Sequence, residues 1–237
     1  MHRPFRPVQN CRLEMDSMIV KQPPMELADS GKLKASCLIL AGGEGKRLTP
    51  DKPLLDIEGE PIVGRVARVV TSVFEQVVLV TNTPEKYRFL GLPHARDERP
   101  GCGPLMGIYS GLKKIRHDVA FVCGADMPFL REDLLRAEFD AITDEFDIVV
   151  PYPRGLPEFL HGYYRKRCLK VMGSNLDAGL FKIEMLRDRC RIRRLERAWF
   201  SARGLDEDLE TAFVNINTLQ EYQHWSGADS RRKAAAE

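Results

Sequence analysis

The stretch Cys37-Leu38-Ile39-Leu40-Ala41-Gly42-Gly43-Glu44-Gly45-Lys46-Arg47-Leu48-Thr49-Pro50-Asp51-Lys52 passes from an apolar, strand-like run to glycines and then to cations. Gly42, Gly43 and Gly45 let the backbone turn with positive φ and approach an anion without a Cβ in the way. Arg47 offers a planar guanidinium that can bind two phosphate oxygens at once, and Lys52 a compact point charge. The pattern suits a polyphosphate. The same letters also describe a βα turn whose glycines serve geometry alone and whose cations are solvated.

Spacing excludes two better-known phosphate loops. A Walker A loop needs glycine where Leu40 stands and a magnesium-binding Ser or Thr where Arg47 stands. A dinucleotide fingerprint starting at Gly43 needs a third glycine where Leu48 stands.

Outward from this stretch the pattern alternates between strand and helix. Ala35–Ala41 is apolar, Ile62–Phe74 has helical spacing, and Val77–Val80 is apolar again, the rhythm of a parallel sheet. Leu105, Ile108 and Leu112 predict a helix beginning near Pro104, and Val119–Cys123 a further strand. Beyond these, helices are expected over Arg131–Phe139, Arg165–Val171 and Leu180–Arg187, and strands over Asp147–Val150 and Phe213–Ile216. Thr218, with Glu221 three residues later, signals the start of a last helix. Residues 1–34 carry scattered prolines and charges without periodicity and read as a poorly ordered extension; 35–225 form the domain and 226–237 a frayed tail.

Two more segments carry candidate chemistry. Gly101-Cys102-Gly103-Pro104-Leu105-Met106-Gly107 sets glycines before a helix whose first residue is proline, where free amides can face an anion. Ala120–Gly124 is an apolar strand followed closely by Asp126, with Pro128 restricting Met127 and fixing the turn. One well-placed aspartate suffices for Mg2+, which fills its octahedron with water and substrate phosphates. A capping or turn role would explain an isolated aspartate there equally well. In open α/β sheets the ligand crevice lies beyond the carboxyl ends of the strands, so Gly42 and Asp126 converge if their strands are neighbours.

Taken in order, these segments resemble the molybdenum cofactor guanylyltransferases, nucleotidyltransferases that make molybdopterin dinucleotides. Leu40-Ala41-Gly42-Gly43, Arg47 and Asp51-Lys52 are similar to that family's opening signature, although Leu48-Thr49-Pro50 replaces its usual Met-Gly. Gly103-Pro104-Leu105-Met106-Gly107 and the preceding Asp97 are similar to its second motif, Ala125-Asp126-Met127-Pro128 to its metal motif, and Asn215-Ile216-Asn217-Thr218 to its closing signature. Leu160–Tyr164 resembles the acceptor-side segment, with Phe159 where the family has proline. The likeness runs over about residues 36–225.

The resemblance implies an α/β, Rossmann-like three-layer fold with a mostly parallel central sheet. It also implies Arg47, Lys52 and Asp126 as catalytic residues and Leu40, Ala41, Gly42, Gly43, Lys52, Asp97 and Asp126 as the nucleotide site, with Mg2+ on Asp126 and Asn217 nearby. Its implied substrates are GTP and molybdopterin, with a molybdoenzyme or another cofactor-biosynthesis protein as a partner. Glycine at both 42 and 43 goes with guanine users in the family. CTP, a sugar phosphate as acceptor, and a non-catalytic nucleotide-binding protein that delivers cofactor stay open as other readings.

The rest of the sequence sets bounds. With 237 residues, 43% hydrophobic and 30% charged, the chain can bury a substantial core, and a net charge of +2 gives no basis for nucleic-acid binding. Six cysteines without a Cys-x-x-Cys pair read as reduced thiols, hence a cytoplasmic protein. No apolar run approaches the ~20 residues that span a bilayer, so no membrane is expected. Six arginines between Arg187 and Arg197 read mostly as a solvated face, and His94, His117 and His161 as single histidines without an acid–base partner.

Overall fold

The computed structural model describes residues 31–42 and 52–234, with backbone alone from 227 onward. The expectations placed on Gly43 and Arg47, and on the segment before residue 31, lie outside the described residues.

Strand β1 (Leu33–Leu40) is the apolar run of the opening stretch, and it is buried along nearly its whole length, as a strand covered on both faces must be. A tight hairpin of β2 (Asp56–Ile57) and β3 (Glu60–Pro61) turns through Glu58 and Gly59, both at positive φ, and leads into α1 (Ile62–Val73). Ile62, Val63, Val66, Ala67, Val70 and Val73 form the buried stripe of α1. Its β-branched residues favour the helix little by themselves, so packing against the sheet holds it. Strand β4 (Phe74–Val80) follows without a loop, then β5 (His94–Ala95), α2 (Gly103–Leu112), β6 (Val119–Gly124), α3 (Glu132–Asp140), β7 (Ile148–Tyr152) and β8 (His161–Arg165). Helix α4 (Cys168–Asp177), β9 (Ile192–Glu196), α5 (Arg197–Ser201) and α6 (Leu219–Ala234) complete the chain.

The seven-stranded sheet has the order β5-β4-β1-β6-β8-β7-β9. Every neighbouring pair is parallel except β6 with β8 and β8 with β7, so β8 alone runs against the rest. This is the expected α/β architecture with a mostly parallel sheet. Alternation along β1 sends Cys37 and Ile39 into a core shared with Val66 and Val70 of α1 and Leu134 and Leu135 of α3, while Leu38 enters a core shared with Ile108 of α2 and Met172 of α4. Helices thus cover both faces, giving three layers. Packing on α2 is tight: a Cβ on Gly111 would stand 2.7 Å from Leu38 Cδ1 and 3.0 Å from Val80 Cγ2.

Several expectations need correction. The helix expected over Arg165–Val171 begins instead at Cys168, because Arg165 is the last residue of β8 and pairs with Val119. Leu180–Arg187 contains only a short 3-10 turn, Ile183–Leu186. Phe213–Ile216 is not a strand: a 3-10 turn over Thr211–Phe213 is followed by irregular chain that touches the sheet region through one bond, from Ile216 N to Asp126 O at 3.0 Å. The edges of the sheet are β5 and β9. The last helix runs from Leu219 to Ala234.

The arginine run hides β9, and most of its side chains are engaged. Arg191 bonds Asp147, Arg189 donates to Asn175, and Arg197 pairs with Glu210. Arg193 and Arg194 lie over the rings of Phe146 and Tyr152, 5.7 and 5.3 Å from their centroids.

Candidate active site

Because β4, β1 and β6 are adjacent and parallel, their carboxyl ends open on one crevice, and β1 is its centre. The chain stays in register just past the strands: Ala41 N donates to Val80 O at 2.9 Å and Ala125 N to Leu40 O at 3.0 Å. Leu40, Ala41 and Gly42 therefore lie between Thr81 and Asn82 on one side and Ala125 and Asp126 on the other. A Cβ added at Gly42 would meet open space, but the positive φ expected there is not adopted, so Gly42 keeps the crevice open without turning the chain. The condition set by the sequence, that the strands before Gly42 and Asp126 be neighbours, is met.

Asp126 is held close to the strand end. A Cβ on Gly124 would stand 2.5 Å from Asp126 Oδ1 and 3.5 Å from Met127 Cγ, so only glycine lets the carboxylate fold back to this position. Lys52 reaches the same place from the turn that precedes β2. Its Nζ donates to Asp126 Oδ2 at 3.4 Å, to Ile216 O at 3.4 Å and to Asn217 Oδ1 at 2.8 Å. The ammonium and carboxylate are each about one-fifth exposed, at 17% and 24%. Lys52 starts a single 3-10 turn, Lys52–Leu54, whose exit is pinned by Leu55 N to Lys52 O at 3.0 Å and Ile62 N to Leu55 O at 2.9 Å. Ile57 and Ile62 pack with Ile216 in a small core of their own, which brings the C-terminal segment onto the Lys52 turn.

Asp97 occupies the opposite wall. Asn82 clamps it twice: Asn82 Nδ2 donates to Asp97 Oδ2 at 2.9 Å, and Asp97 N donates to Asn82 Oδ1 at 3.0 Å. Gly107 of α2 lies beside it, where an added Cβ would be 3.6 Å from Asp97 Oδ1 and 3.6 Å from Leu40 Cδ2. Gly101 and Gly103, at the entry to α2, take φ of 85° and 69°, and α2 starts at Gly103, one residue before the proline.

Asp126 Oδ2 and Asn217 Oδ1 thus face one cation, the Lys52 ammonium, from two directions. Both are hard oxygen donors of the kind Mg2+ accepts, and the cradle that a Gly124 Cβ would fill leaves the Asp126 carboxylate in place for it. The donor set fits such an ion. No cluster of three or more His, Cys, Asp or Glu is present among the described residues.

Asn82 escaped the sequence reading, since Asn before a turn is ordinary loop chemistry. Two histidines also have partners after all. His117 stands 2.9 Å from Ser36 Oγ and 3.0 Å from Glu75 Oε2, and His161, fully buried, lies 3.2 Å from Glu138 Oε2 and edge-on to Phe121. Burial pushes the Glu138 carboxyl above its ordinary range, and His161 opposes that. His161 belongs to the core rather than to a wall of the crevice. In the segment expected on the acceptor side, Phe159 is buried and its carbonyl accepts from Tyr164 at 2.7 Å.

Gly42, Asp126 and Lys52, gathered beyond the carboxyl ends of adjacent parallel strands, define a nucleotidyltransferase. The sequence of residues 37–191 matches the family described as the MobA-like NTP transferase domain. The chain is 34% identical over 187 residues to the molybdenum cofactor guanylyltransferase of Desulfosudis oleivorans, covering 78% of this chain and 91% of that protein. Its fold matches the molybdopterin-guanine dinucleotide biosynthesis protein A of Archaeoglobus fulgidus with a TM-score of 0.71, at 22% identity over 83% of this chain and 99% of the other. It also matches the 4-diphosphocytidyl-2C-methyl-D-erythritol synthase of Anaerococcus prevotii with a TM-score of 0.61, at 12% identity over 85% and 97%. The chain belongs to the MobA-like NTP transferase family. No helix among the described residues is long and apolar enough to cross a membrane.

Proposed function

We propose that this nucleotidyltransferase moves GMP from GTP to molybdopterin. The terminal phosphate of molybdopterin attacks the α-phosphorus of GTP. A P–O bond to that phosphate forms as the bond to the β-phosphate oxygen breaks, and pyrophosphate leaves. No protein nucleophile is needed, so catalysis rests on placing two anions together and offsetting their repulsion. The observation that carries the reading is the meeting of Lys52, Asp126 and Asn217 at the crevice beyond β1 and β6, together with the likeness to a guanylyltransferase.

Lys52 neutralises phosphate charge in the transition state, and the open space beside Gly42, which has no Cβ, lets phosphate oxygens approach the backbone. Asp126 would hold Mg2+, which supplies further charge neutralisation when bound. Arg47 adds a bidentate contact to the triphosphate in this reading. Asp97, clamped by Asn82, faces the nucleoside end.

The test is to incubate the purified protein with magnesium, GTP and molybdopterin and look for the dinucleotide and for pyrophosphate. A preference for CTP in parallel reactions would overturn the choice of base. Pyrophosphate release with a sugar phosphate but not with molybdopterin would overturn the acceptor.

A further inference from the structure

Lys52 belongs to a single 3-10 turn that does not by itself aim its ammonium, and the aim comes from the other end of the chain. The shortest contact of Lys52 Nζ is to Asn217 Oδ1, at 2.8 Å. Asn217 is exposed and lies in the irregular chain before α6, so its side chain has no helix or strand to fix it. Its Nδ2 donates to Asn215 O at 3.4 Å, and its backbone is held by Glu221. Oε2 of Glu221 accepts from Asn217 N at 2.7 Å and from Thr218 N at 2.8 Å, while Thr218 Oγ1 accepts from Glu221 N at 3.1 Å.

A capping box needs only the reciprocal pair between Thr218 and Glu221. The bond to Asn217 N reaches one residue further than capping requires, to the residue whose side chain holds Lys52. The start of α6 is in turn seated on both loops of the crevice. Tyr222 Oη donates to Asp56 O at 2.6 Å, on the Lys52 side, and the Trp225 ring packs 4.7 Å from that of Phe129, on the Asp126 side.

We infer that Glu221 is a positioning residue: by holding the backbone of Asn217 it sets the Asn217 amide oxygen that directs the Lys52 ammonium toward Asp126. Its kinetic consequence rests on the nucleotidyltransferase reading of the site, whereas the aiming of Lys52 does not.

The test compares Glu221→Ala, Glu221→Gln and Thr218→Ala in the full-length chain. One readout is acylation of the Lys52 amine by an activated ester, followed by peptide mass spectrometry. The other is kcat and KM with magnesium, GTP and molybdopterin. Glu221→Ala frees Asn217, so Lys52 acylates severalfold faster and kcat falls about tenfold with little change in KM, the scale of a small misplacement of a charge-bearing group. Glu221→Gln keeps an oxygen acceptor and retains values close to the parent protein. Thr218→Ala removes only the helix-side bond, lowering the melting temperature without changing Lys52 reactivity.

An unchanged Lys52 reactivity in Glu221→Ala overturns the inference, as does a Thr218→Ala protein that matches Glu221→Ala in both readouts. A parent protein that makes no dinucleotide, while Glu221→Ala still unmasks Lys52, overturns the proposed function and leaves the positioning role standing.

Discussion

Lys52 Nζ and Asp126 Oδ2 stand 3.4 Å apart although 74 residues separate them in sequence. The lysine enters from the turn after the glycine stretch and the aspartate from the end of β6, so their contact marks where two walls of the crevice meet. Asp126→Ala is expected to lower turnover by at least ~10²-fold, the scale of losing a preorganised electrostatic group, and Lys52→Ala to do the same. Initial rates of pyrophosphate release measure both. Near-parental rates with magnesium in either variant would remove that residue from the mechanism.

Gly124 offers a test of geometry with every charge retained. A methyl at this position would sit 2.5 Å from Asp126 Oδ1, and the carboxylate must swing away to admit it. Gly124→Ala is therefore expected to cost about tenfold or more in kcat. Rates equal to those of the parent protein would mean that the exact placement of Asp126 is unimportant.

On the opposite wall, Asn82→Ala deletes both hydrogen bonds that hold Asp97. If Asp97 meets the nucleoside, KM for GTP rises about tenfold, equivalent to roughly 1.4 kcal/mol of binding, while kcat changes little. A fall in kcat at constant KM would move Asp97 from binding to chemistry.

Far from the crevice, Asp147 ties the chain before β9 to the start of α4. Burial alone would raise its carboxyl, but hydrogen bonds from Arg191 and Arg167 prevail and hold it down at about 2. A carboxylate whose pKa is depressed in the folded state adds stability above its unfolded value near 3.8, and that stability is lost as pH falls toward about 2. Solvent around the exposed Arg191 screens the pair, so Asp147→Asn should cost on the order of 1 kcal/mol at neutral pH, and the gap to the parent protein should close between about pH 4 and 2. Urea titrations across that range read it directly, and a gap that does not narrow with acid contradicts the assignment.

Much of this molecule is written locally. The apolar run of β1, the helical spacing of α1 and α2, the glycines at 101 and 103, and the Thr218–Glu221 cap are each set by a few consecutive residues, because periodicity, backbone freedom and capping act over one or two turns. Elements whose pattern was blurred were harder to see. β9 lies among arginines that are held by Asp147 and by aromatic faces, so its alternation is masked by charge; β8 ends at an arginine that leads on toward α4.

The sequence by itself marked Gly42, Lys52 and Asp126 as candidates for phosphate and metal chemistry and determined that Gly42 and Asp126 follow strands. Only the tertiary structure decided that β1 and β6 are neighbours, that Asn82 holds Asp97, that His161 is a core residue beside Glu138, and that Asn217 meets Lys52 across 165 positions. The physical reason is that strand order and long-range side-chain contacts are chosen by how two whole faces of the sheet are covered at once, and no short window of sequence contains that choice.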